Sequence, residues 1–86
     1  MYKVVMSGVF EGKPFSAETK PKKTPKAARR LMRKLVREAE EANGYQRPEY
    51  GGDEDCEKSI PLSPDSHRYE FNDSSDDYLQ WDVVPA

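Results

Sequence analysis

Two side chains able to act as nucleophile or general base occur once each in this 86-residue chain, Cys56 and His67. A thiol–imidazole pair needs the two side by side, a third group to orient the ring and N–H donors for an oxyanion. Cys56 stands in GGDEDCEKS, among carboxylates that disfavour a thiolate. His67 alternates with Tyr69 and Phe71, as a half-buried strand residue does. A closed zinc site takes four Cys or His ligands, which one of each cannot supply. Asp53, Glu54, Asp55 and Glu57 offer oxygens without the spaced Asp-x-Asp-x-Asp-Gly pattern and distal Glu that wrap calcium. Gly51-Gly52 follows no apolar strand and opens no helix, so it is not a phosphate loop. Neither carboxylate cluster comes with an apolar pocket that would split a pair of pKa values. The expectation is a non-enzymatic protein with no catalytic residue, no metal and no cofactor.

What remains is charge. Residues 1–42 hold eleven Lys and Arg against five acids, a net of +6, and residues 43–86 hold three against eleven, a net of −8. Between Thr19 and Arg37 there are nine basic residues and no acid. The net charge of −2 hides this segregation, which speaks of partners or solubility rather than of fold. Within 25–42 the cations crowd the first turns, while Glu38, Glu40 and Glu41 end the segment. Both placements oppose a helix dipole, and Lys34–Glu38 and Arg37–Glu41 run in the weaker order. Charges that break local rules without local gain serve something else.

The elements that carry these charges follow from periodicity. YKVVMSGVF (2–10) alternates, with Tyr2, Val4, Met6 and Phe10 on one face and a bulge expected at Gly8; EGKP turns the chain, and Phe15, Ala17 and Thr19 alternate in reply. The spacing predicts a β-hairpin over 2–20. Thr24-Pro25 is a helix start, apolar residues recur at 28, 31, 32, 35, 36, 39 and 42, and Asn43-Gly44 is a stop, which gives a helix over 25–42. Residues 45–66, with three Pro and two Gly besides the acids, read as a long acidic loop. HRYEFN and YLQWDVV alternate on either side of DSSDD, a second hairpin over 67–84 with Leu79, Trp81 and Val83 inward. The fold class expected is α+β, a single domain over 1–86 in the order β-β-α-β-β, with a small antiparallel sheet of two hairpins packed on one amphipathic helix. Only fourteen residues are Val, Ile, Leu or Phe, so the core is thin and self-association into a homodimer is an alternative. One cysteine precludes an internal disulfide, and no run approaches the roughly 20 apolar residues of a membrane span, so a cytoplasmic protein with no membrane role is expected.

The plan of hairpin, TPKAARRLMRKL helix and further strands resembles that of small phage-encoded inhibitors of bacterial defence, the anti-CRISPR proteins among them. The resemblance covers the whole chain in outline and no motif, so it transfers no residue. It implies a protein acting in the host cell cytoplasm on a nucleic-acid-handling complex. The leading reading is accordingly a protein-binding module whose acidic pole (Asp53, Glu54, Asp55, Glu57, Asp73, Asp76 and Asp77, with Tyr45 and Tyr50 as anchors) imitates a phosphate track and occupies a basic groove. The alternative is a nucleic-acid-binding protein that uses segment 20–37: Lys22, Lys23, Lys26, Arg29, Arg30, Arg33, Lys34 and Arg37, with Arg29, Arg33 and Arg37 on the helix face opposite the apolar stripe. A third reading is an accessory or structural protein whose poles pair head to tail.

Overall fold

The computed structural model describes residues 1–45, 58–71 and 77–86. Five antiparallel strands and one helix appear in the order β1 (Tyr2–Phe10), β2 (Lys13–Glu18), α1 (Pro25–Ala42), β3 (Lys58–Ser63), β4 (Ser66–Glu70) and β5 (Tyr78–Pro85). In the sheet they lie β2-β1-β5-β4-β3, so the first and last strands of the chain pair at its centre. The α+β class and both hairpins hold, but the sheet has a fifth strand. β3 occupies residues assigned above to the long loop, and β4 therefore has neighbours on both sides. The sequence hides β3 because Pro61 interrupts it. An edge strand accepts a proline, whose missing N–H can face outward. The opposite edge strand, β2, carries Pro14. Residues 46–57 of the expected loop lie outside the described residues.

Alternation places Val4 and Met6 of β1, Leu79, Trp81 and Val83 of β5, and His67 and Tyr69 of β4 on one face, in the register Val4–Val83, Met6–Trp81–His67 and Leu79–Tyr69. The helix lies on this face. Thr24 caps it, its Oγ1 accepting from the Ala27 N–H at 3.1 Å, with Pro25 in the first turn. It ends where Asn43 donates to the Ala39 carbonyl at 3.1 Å and Gly44 takes a φ of 67°. Ala28, Met32 and Val36 are its buried residues, and Met32 and Val36 join Val4, Tyr69 and Trp81 in one core cluster. Those six are the buried apolar residues among the described ones. The rings interlock edge to face, Tyr69 against Phe71 at 5.3 Å and Phe71 against Phe10 at 5.9 Å.

Gly8 forms no bulge. The ladder runs through it unbroken, to Phe15 on one side and Leu79 on the other. Glycine is required there by proximity: a Cβ would lie 2.1 Å from the Tyr78 carbonyl oxygen. Gly8→Ala therefore forces β1 and β5 apart and is expected to destabilise by about 3 kcal/mol. Urea unfolding followed through Trp81, the only tryptophan, measures this. The β1–β2 turn has both central residues left-handed, Glu11 at φ 53° and Gly12 at φ 79°. Asparagine tolerates the first position better than glutamate does, so Glu11→Asn is expected to raise stability by about 0.5–1 kcal/mol in the same titration.

Candidate functional site: a basic helix ridge and the groove beneath it

An α-helix turns about 100° per residue, which separates the cations of α1 into two groups. Arg29 follows buried Ala28 and precedes buried Met32 by three, so it stands on the flank of the apolar stripe. The expectation that it faces away with Arg33 and Arg37 is incorrect. Its guanidinium reaches the sheet and grips Asp65, in the β3–β4 turn, through Nε and through Nη2, the latter at 3.3 Å. That bond, more than the charge alone, holds the Asp65 carboxyl below its ordinary pKa and Arg29 above its own. Asp65 is fixed in turn by its backbone: its N–H donates to Ser63 Oγ at 3.2 Å and its carbonyl accepts from Val83 at 2.8 Å.

Lys26, Arg30, Arg33, Lys34 and Arg37 form the second group. All are exposed, and none makes an ion pair among the described residues. Lys22 and Lys23 extend the track at its start, where Lys22 and Tyr2 exchange backbone hydrogen bonds at 2.6 and 2.8 Å. No acid occupies the first turn of the helix and no base the last.

The acidic pole is far less visible. Asp53, Glu54, Asp55, Glu57, Tyr50, Asp73 and Asp76 lie outside the described residues, as does Cys56. Asp77 is half-buried, and its Oδ2 accepts from the Glu11 N–H at 3.2 Å, so it closes an end of the sheet. Tyr45 packs edge-on against Tyr69 at 5.8 Å.

Because α1 covers β1 and β5, the β3–β4 edge of the sheet extends beyond it. Between the helix and this overhang runs a groove of about 510 Å³. Met32, Val36 and Pro61 give it apolar walls; Arg33, Arg37 and Glu40 stand along the helix side, and Tyr45 is at one end. On the sheet side Ser59 Oγ and His67 Nε2 share a hydrogen bond of 2.6 Å across β3 and β4. His67 also meets Trp81 edge to face at 6.2 Å. The sequence reading missed this arrangement. Ser59 stood in what read as loop, and nothing local signals that a bound pair of strands will set it against His67.

The sheet face without a helix is occupied by its own pairings. Arg68 lies over the Tyr78 ring at 4.0 Å and donates to Gln80 at 3.5 Å; Gln80 and Ser66 both donate to Asp82, at 3.2 and 2.5 Å. Lys3 and Glu18 pair at 2.7 Å. No helix among the described residues is long and apolar enough to cross a membrane, and those residues hold no cluster of metal-binding type.

Fold and surface together define a small α+β domain with one helix on a five-stranded antiparallel sheet and a cationic ridge on that helix. No family model, curated protein or solved structure matches the chain.

The lowered pKa of Asp65 links stability to pH. A carboxyl whose folded pKa lies below its ordinary 3.8 contributes stability that is present above that value and is lost as pH falls through the folded pKa. Asp65→Asn is expected to remove this contribution, flattening the acid limb of an unfolding-midpoint profile while leaving its shape above pH 5 unchanged.

Proposed function

We propose that the protein is a non-enzymatic binding module whose docking surface is the α1 ridge and whose partner is nucleic acid. The observation that carries this reading is the row of five exposed cations from Lys26 to Arg37 with no ion pair among the described residues. Eleven residues of helix rise about 16 Å, enough to follow several successive phosphates of one strand. A helix whose cations served only its own fold would place them in the last turn, where the dipole favours them. Here they stand where the dipole opposes them, and no carboxylate among the described residues pairs with them, which favours an anionic partner as the counter-charge. Lys22 and Lys23 lengthen the same track. Arg29 is excluded from it, since Asp65 already neutralises it. The contact would position a backbone and leave sequence unread, because the ridge offers charge without a set of groups aimed at base edges.

Fluorescence anisotropy with labelled single-stranded DNA, duplex DNA and RNA tests the proposal. Micromolar binding at low salt is expected, with log K falling against log salt at a slope of about −2 to −4 for three to five neutralised phosphates. The triple variant Lys26→Gln, Arg30→Gln, Lys34→Gln should weaken binding at least tenfold, whereas Arg29→Gln should change stability and not affinity. Absence of binding at low salt overturns this reading. The search would then move to the proposed protein partner, a host complex with a basic groove engaged through the acidic pole as an anti-CRISPR-like inhibitor would engage it.

A further inference from the structure

We infer that the groove between α1 and the β3–β4 overhang is a binding site for a mononucleotide-type ligand, a phosphate joined through a sugar to a flat ring. This goes beyond the ridge reading: the groove shares Arg33 and Arg37 with the ridge but adds walls that the ridge lacks. The ridge cations Lys26, Arg30 and Lys34 lie outside the groove, and the groove residues Tyr45, Ser59 and His67 lie outside the ridge.

Size comes first. A volume of about 510 Å³ is in the range of small-molecule sites and larger than a bare anion needs. The walls sort the ligand further. Arg33 and Arg37 are separated by one helical turn on the same side of the groove, and both are exposed with no carboxylate bound among the described residues. Two guanidiniums at that spacing suit the oxygens of one phosphate. Opposite them, the Ser59 hydroxyl and the His67 imidazole supply polar groups on rigid strands. The rest of the lining is apolar or aromatic: Met32, Val36 and Pro61, with the Tyr45 ring braced against Tyr69. A polyanion has no use for such walls, but a planar ring does.

Glu40 decides the polarity of the ligand. It lies three residues beyond Arg37 on the groove side, so the charge along the helix wall changes from positive to negative toward Tyr45. A second phosphate at that end would meet a carboxylate. A ribose hydroxyl or an exocyclic amine would instead donate to it. The ligand that fits is anionic at the Arg33–Arg37 end and a neutral hydrogen-bond donor at the Glu40–Tyr45 end, which describes a nucleoside monophosphate better than inorganic phosphate or a neutral nucleoside.

Isothermal titration of the full chain with adenosine 5′-monophosphate, adenosine and inorganic phosphate tests the assignment. The monophosphate should bind at least tenfold more tightly than either part. Arg37→Gln, at an exposed position where folding is not at risk, should reduce that affinity about tenfold and leave the weak adenosine signal unchanged, as expected for loss of one charge-assisted contact. Tyr45→Ala should remove the advantage over inorganic phosphate. The triple ridge variant should bind the monophosphate as the parent does, which separates failure of the groove from failure of the ridge. Equal affinity for the monophosphate and inorganic phosphate, or affinity indifferent to Arg37→Gln, overturns the inference.

Discussion

The arrangement of this domain depends on the packing of Trp81 beneath the helix. Apolar side chains are scarce, and one large ring on the central strand β5 does much of the work that several aliphatic residues do elsewhere. Trp81 is buried with its indole N–H lacking an acceptor among the described residues, so packing rather than a side-chain hydrogen bond holds its ring. Met6 and His67 flank it on the neighbouring strands, and the helix covers it with Met32 and Val36. With so little core to share, α1 can seal only the centre of the sheet. The helix sits over β1 and β5, and the strands beyond them are left to find other partners.

The two faces of the sheet meet that shortage differently. On the helix face the uncovered part, toward β3 and β4, becomes the groove, with Tyr45 among its lining residues. On the opposite face the described residues supply no second layer, and polar side chains pair across strands, as Arg68, Gln80, Asp82 and Ser66 do. Alternation along each strand makes both outcomes possible at once, since successive residues serve different faces. The charge of the helix then follows from its position: one stripe is consumed by the core, one flank by Asp65, and the remaining cations face solvent.

Most of the framework was legible in the chain itself. Thr24-Pro25 and Asn43-Gly44 bound the helix because capping depends on local backbone chemistry. The inward faces of β1, β4 and β5 could be read from alternation, which needs no knowledge of neighbours. β3 could not. Pro61 and the absence of alternation in KSIPLS are loop signals, and only an adjacent β4 with an unpaired side turns that segment into an edge strand. The bulge at Gly8 was misread for a related reason: a lone glycine in a strand signals either a bulge or a close approach, and the Tyr78 carbonyl that distinguishes them is seventy residues away.

The candidate site divides along the same line. Sequence alone determined that the cations are segregated and that they oppose the helix dipole, because composition and helical period suffice for both. Only the tertiary structure decided which cations are available. Arg29 was expected on the outer face, yet the β3–β4 turn places Asp65 within its reach and removes it from the ridge. Likewise His67 is an isolated strand histidine in the sequence, and becomes part of a polar pair with Ser59 through a strand pairing that no local pattern announces. Local interactions set the elements and their faces, since each depends on residues a turn or less apart. The groove and the identity of the free charges depend on which elements become neighbours, and that was settled by where a scarce core allowed one helix to lie.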